Sequence, residues 1–177
     1  GPQVDFRNAG ALQNPDDPII VPKEAKRIQW ESEVVIVIGK KARKVSKEKA
    51  YDYILGYTLG NDVSERVWQW DDASFWRAKG SETFKPIGPW IDTEVKYRDL
   101  VVTTRLNERE VQTYKTADSV YDPADFVSFM SQHLTLYPGD MIYMGAEGAP
   151  TDMKVGDVVE IEANELGVLR NPLIAER

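Results

Sequence analysis

A mostly β (α+β) domain, built as a mixed β-sandwich roll or barrel-like fold with a few covering helices, is what this sequence predicts, and three observations carry the prediction. Five short runs are rich in β-branched residues and end at Pro, Gly, Asp or Asn. Only two stretches space apolar residues at three and four. Many short strands must close or stack to avoid exposed edges, which favours a roll or barrel over an open sheet. At 177 residues the chain reads as a single domain over 1–177, long enough to bury a core without disulfides.

In chain order, the first strand-like run is DPIIVP (17–22), followed by SEVVIVIG (32–39). VSKEKAYDYILGYT comes next and predicts a helix, with Ser46 as N-cap and Ala50, Tyr53, Ile54 and Tyr57 along one face. LVVTTRLN (100–107) returns to strand. DPADFVSFMSQHL predicts the second helix, with Pro123 at its first turn and Phe126, Phe129, Met130 and Leu134 on its apolar side. DMIYMG (140–145) and DVVEIEA (157–163) complete the strands, and NPDDP, KPIGP, YPGD and KVGD read as turns.

Composition removes several function classes. A net charge of −7 with interspersed signs gives no electrostatic footprint for nucleic acid or an anionic membrane. The absence of cysteine excludes a disulfide scaffold, thiolate zinc and a cysteine nucleophile. No run approaches the roughly 20 apolar residues of a membrane span, and no signal-like start is visible, so a soluble, cytoplasmic protein is expected. The chain opens on Gly1-Pro2 without an initiator methionine, which leaves room for a preceding segment.

Candidate chemistry begins at WESEVVIVIG. Residues i and i+2 of a strand share a face, so Glu31 and Glu33 stand side by side at the mouth of an apolar run. Two carboxylates that close stay ionised only beside a cation. A hard dication needs a further oxygen ligand, and Asp62 in GYTLGNDVSER is the candidate. The same three residues also read as a polar strand edge and a turn cap. Lys79 in FWRAKGSETF is placed to reach an anionic substrate or a developing enolate, or to snorkel at the surface. Arg66 and Gln69 follow Asp62 and suit a carboxylate. His133, the single histidine, reads as structural. Trp68, Trp70 and Trp76 form either a pocket wall or core.

Five segments in order, namely WESEVVIVIGKKARKVSKEKAYDYILGYTLGNDVSER, FWRAKGSETFKPIGPWI, LNEREVQ, LTLYPGDMIYMG and VGDVVEIEANELGVLRNPL, resemble the catalytic C-terminal domain of the fumarylacetoacetate hydrolase family. The resemblance runs from about Phe6 to Leu173 and implies a β-sandwich roll, usually a homodimer. It further implies Mg²⁺ or Mn²⁺ held by Glu31, Glu33 and Asp62, with Lys79 as the catalytic lysine and Arg66, Gln69 and Lys79 facing a small 2-oxo acid. The implied reaction is metal-dependent hydrolysis of a C–C bond in an acylpyruvate. Decarboxylation or keto-enol tautomerisation on the same site is the first alternative, and a non-catalytic scaffold or ligand-binding role the second. Two departures stand out: no His-Glu pair for water activation precedes Phe6, and Ala146 stands where the family carries a substrate-contacting threonine.

Overall fold

The computed structural model describes residues 1–177. Two five-stranded sheets dominate. In the first, β1 (Leu12–Gln13), β7 (Lys85–Asp92), β5 (Ile54–Asn61), β4 (Ser32–Ile38) and β10 (Met141–Tyr143) neighbour one another in that order. In the second the order is β2 (Ile19–Val21), β13 (Gly167–Ala175), β12 (Val158–Ala163), β8 (Val101–Leu106) and β9 (Arg109–Lys115). A small sheet of β11 (Asp152–Met153), β3 (Ile28–Gln29) and β6 (Ser64–Glu65) lies beside the site described below.

The main core joins the two large sheets. Val34, Ile36 and Ile38 of β4 and Leu59 of β5 pack in one cluster with Val102, Ile161 and Leu169 of the other sheet. All seven residues of β4 are buried, so its outer face is covered too. That is why the strand reads as a continuous apolar run rather than an alternation. Alternation nevertheless decides the chemistry, because Glu33, Val35 and Val37 point away from the main core.

Three α-helices cover the sheets: α1 (Arg66–Asp71), α2 (Trp76–Gly80) and α3 (Pro123–His133). The last begins at Pro123, as its sequence predicts, and Asp122 and Asp125 close a reciprocal capping box with the backbone. Phe126 and Val127 face the core, while Phe129 is 40% exposed.

The helix predicted from Ser46 onward does not form. Residues Lys47–Tyr53 make a 3₁₀ segment without a side-chain cap from Ser46, and Ile54–Asn61 is strand β5. The pairing of β5 between β4 and β7 explains the outcome, since tertiary hydrogen bonds override a weak local period. Its glycines are required by close approach: a Cβ on Gly60 would stand 2.6 Å from Val35 Cγ2 and collide with the Tyr143 ring. Gly60→Ala is therefore expected to cost about 1–3 kcal/mol through overpacking, read as a lower denaturant midpoint with an unchanged m-value. KPIGP, expected as a turn, instead opens β7. Of the clustered tryptophans only Trp68 is buried; Trp70 and Trp76 are 89% and 68% exposed and do not line the cavity described below.

Candidate metal centre

The ends of β4 and β5 are tied together at the acidic residues. The Asp62 amide donates to the Glu31 carbonyl at 2.9 Å, and the Glu31 amide donates to Asn61 Oδ1 at 3.0 Å. With Glu33 paired to Gly60 in the antiparallel register, this clip brings Glu31, Glu33 and Asp62 to one point. A carboxylate oxygen from each lies within 4.8 Å of the others. Asp62 follows a strand directly, rather than the helix its sequence context suggests.

Two lysines enter this cluster. Lys79, on α2, is 6% exposed; its Nζ donates to Asp62 Oδ2 at 2.6 Å and to Glu31 Oε2. Lys85, the first residue of β7, is 1% exposed, with Nζ 2.5 Å from Asp62 Oδ1. Burial opposes ionisation of Asp62, but the Lys85 and Lys79 charges prevail and hold its carboxyl well below the usual range. Glu33 behaves oppositely. Desolvation, then the negative charges of Asp62 and Glu31, push it up to about 8, although the Gly145 amide donates to its Oε2 at 2.6 Å.

Arg66 and Gln69 divide their roles. The Arg66 guanidinium is committed to protein acceptors: Gln29 at 2.7 Å, Gln69 at 2.8 Å and Glu31 Oε1 at 2.6 Å. It therefore orients Glu31, while Gln69 lines the cavity. His133 packs its ring edge against Phe129, 5.9 Å between centroids, and does not line the cavity.

The cluster lines a cavity of about 820 Å³. Phe126, Met130, Leu134 and Met141 supply apolar wall, and Ala146 lines it without a hydroxyl. Residues Gln3–Asn8 line it as well, and Arg7 brings Nε to 3.8 Å from Asp62 Oδ1. Sequence reading missed Arg7, Lys85 and Asn61. Lys85 had a signal, a charge between apolar Phe84 and Pro86, the same anomaly that exposed the glutamates.

The donor set suits a hard dication: three carboxylates and no nitrogen or sulfur ligand. Glu33 is a buried carboxyl whose ionisation desolvation opposes, an opposition that a cation beside it would relieve. These features define a β-rich protein with an acidic, lysine-braced centre in the wall of a half-open cavity.

The profile described as Fumarylacetoacetate (FAA) hydrolase C-terminal matches residues 2–174, and the chain belongs to that family. It is 34% identical to the mitochondrial oxaloacetate tautomerase Fahd2a of Rattus norvegicus over 184 residues, covering 98% of this chain and 59% of the relative. Its fold matches a 5-carboxymethyl-2-hydroxymuconate delta-isomerase from Mycobacterium smegmatis with a TM-score of 0.94 at 36% identity, covering 97% of this chain and 68% of that one. A maleylpyruvate hydrolase from Sphingobium sp. SYK-6, solved with manganese(II) and pyruvate, matches at a TM-score of 0.87 and 29% identity, over 95% of this chain and 62% of that one. The chain thus spans about two thirds of the length of these proteins.

Proposed function

We propose that the domain holds Mg²⁺ or Mn²⁺ through Glu31, Glu33 and Asp62 and enolises 2-oxo acids of the acylpyruvate type. A 2-oxo acid enolate is common to tautomerisation and isomerisation, where a C3 proton passes to a base, and to hydrolytic C–C cleavage, where the acyl group passes to water. The observation that carries the reading is the Lys79 ammonium, fixed by Glu31 and Asp62 at the wall of the cavity.

When bound, the cation supplies Lewis acidity toward a 2-oxo carboxylate. Lys79 Nζ adds fixed positive charge where the 2-oxo oxygen becomes negative, and a desolvated charge at that point stabilises the transition state more than the ground state. Gln69 lines the cavity as a hydrogen-bonding group for the substrate's carboxylate. Arg7, whose Nε is buried without an acceptor, offers a second. Phe126, Met130 and Leu134 give the remaining volume an apolar lining suited to the substrate's acyl portion.

Hydrolysis of an acylpyruvate is the second reading, favoured by the likeness to the manganese- and pyruvate-bound hydrolase. The test uses metal-stripped protein reloaded with Mn²⁺ and presented with oxaloacetate or an acylpyruvate in deuterated water. Cation-dependent deuterium uptake at C3 without pyruvate release supports enolisation alone. Pyruvate released from the acylpyruvate together with its carboxylic acid supports hydrolysis, pyruvate with CO₂ from oxaloacetate supports decarboxylation on the same site, and no product or exchange from Mn²⁺-loaded protein overturns all three.

The protonated Glu33 makes loading pH-dependent. A cation must displace that proton, so affinity should rise about tenfold per pH unit from about pH 5 and level off near 8. Calorimetry in buffers of different ionisation enthalpy would show one proton released per cation below that plateau.

A further inference from the structure

Lys85 sits at the acidic centre without resembling a surface lysine or a mobile one. Its Nζ donates to the Val63 carbonyl at 3.2 Å and the Phe84 carbonyl at 2.9 Å, with Asp62 Oδ1 at 2.5 Å. Two of these three neighbours are backbone, and the side chain is 1% exposed. Lys79 differs in kind, because both its acceptors, Glu31 and Asp62, are carboxylates of the centre.

The charge count at the centre then becomes informative. Glu31, Glu33 and Asp62 bring at most three negative charges. Lys79, Lys85 and the Arg66 guanidinium on Glu31 bring three positive ones. Arg7 Nε at 3.8 Å from Asp62 Oδ1 adds a fourth. A dication approaching this cluster meets a centre already neutral or positive. Lys79 is held by carboxylates of the centre alone, whereas Lys85 is pinned as well by two backbone carbonyls that keep its ammonium against Asp62.

We infer that Lys85 is a positioning residue that makes cation loading depend on an anionic 2-oxo acid. It holds Asp62 Oδ1 in place and competes with the dication, so the metal binds weakly alone and tightly only when the substrate's carboxylate restores the balance of charge. The inference rests on the metal-dependent reading above. Physically it is a coupling between two ligands, and it must act equally in both directions.

Calorimetric titration of Mn²⁺ into metal-stripped wild type, Lys85→Gln and Lys85→Met, each with and without oxalate as the probe anion, tests it. Removing a buried unit charge next to a ligand oxygen should tighten Mn²⁺ alone by about tenfold or more. The factor by which oxalate tightens Mn²⁺ should shrink in both variants. A folded variant that binds Mn²⁺ alone no better than wild type, or keeps the full oxalate effect, overturns the inference. Should neither variant fold, the wild type decides. Tightening of Mn²⁺ by oxalate, with equal tightening of oxalate by Mn²⁺, supports the coupling, whereas equal Mn²⁺ affinity with and without oxalate overturns it. Wild type that binds no Mn²⁺ even with oxalate overturns the metal-dependent reading itself, a different result from an unchanged variant.

Discussion

Glu33→Gln is expected to stabilise the metal-free protein while eliminating cation-dependent turnover. In the metal-free fold Glu33 is 3% exposed and pushed up to about 8 by desolvation and by its neighbours Asp62 and Glu31, against an ordinary value of 4.5. Between those two pH values the folded chain retains a proton that the unfolded chain has released. Stability therefore falls as pH rises through this window and levels off above 8. At pH 7 the penalty amounts to about 3 kcal/mol. Glutamine never ionises, retains an acceptor for the Gly145 amide, and escapes that penalty. Denaturant midpoints of chelator-treated proteins should converge near pH 4.5 and diverge in the variant's favour by pH 8. Adding Mn²⁺ should then reverse the ranking, because only wild type gains stability by binding it. A variant less stable than wild type at pH 8 would contradict the burial argument.

That opposition between stability and chemistry explains how much of the site could be read in advance. Glu31 and Glu33 were legible because charges at the mouth of an apolar strand violate the pattern that stability alone prefers. Strands β4, β8 and β12 were legible from β-branched runs bounded by turn residues, and helix α3 because its period and its Pro123 start agree. Strand β5 was not, since Gly56 and Gly60 meet the needs of neighbours distant in sequence, the Asp92 backbone and the Tyr143 ring. Strand β7 was hidden by Pro86, Gly88 and Pro89, which punctuate a turn when read locally and run along a sheet when read in three dimensions. Arg66 was expected to face substrate, yet its role in holding Glu31 depends on Gln29 from another strand, which no local spacing could reveal. Arg7 reaches Asp62 from the opposite end of the first 62 residues, and such a contact is a property of topology.

Replacing Lys79 by methionine should separate chemistry from binding. Methionine keeps much of the length and none of the charge, so turnover on a 2-oxo acid should fall about 10²–10³-fold, the scale of losing one preorganised charge from a transition state. Mn²⁺ affinity should rise over the same substitution, because Glu31 Oε2 and Asp62 Oδ2 lose the ammonium that occupies them. The metal-free variant should also be less stable by about 3–5 kcal/mol, the usual consequence of leaving one partner of a buried pair behind. Mn²⁺ should restore most of that loss, since a dication then balances the same oxygens. The pattern is specific. A lysine that merely pinned the loop would lower stability without improving metal affinity, and a lysine needed to assemble the ligands would weaken Mn²⁺ binding. Tighter Mn²⁺ with slower turnover is the result that places Lys79 on the substrate side of the centre, and weaker Mn²⁺ with unchanged turnover would remove it from the chemistry.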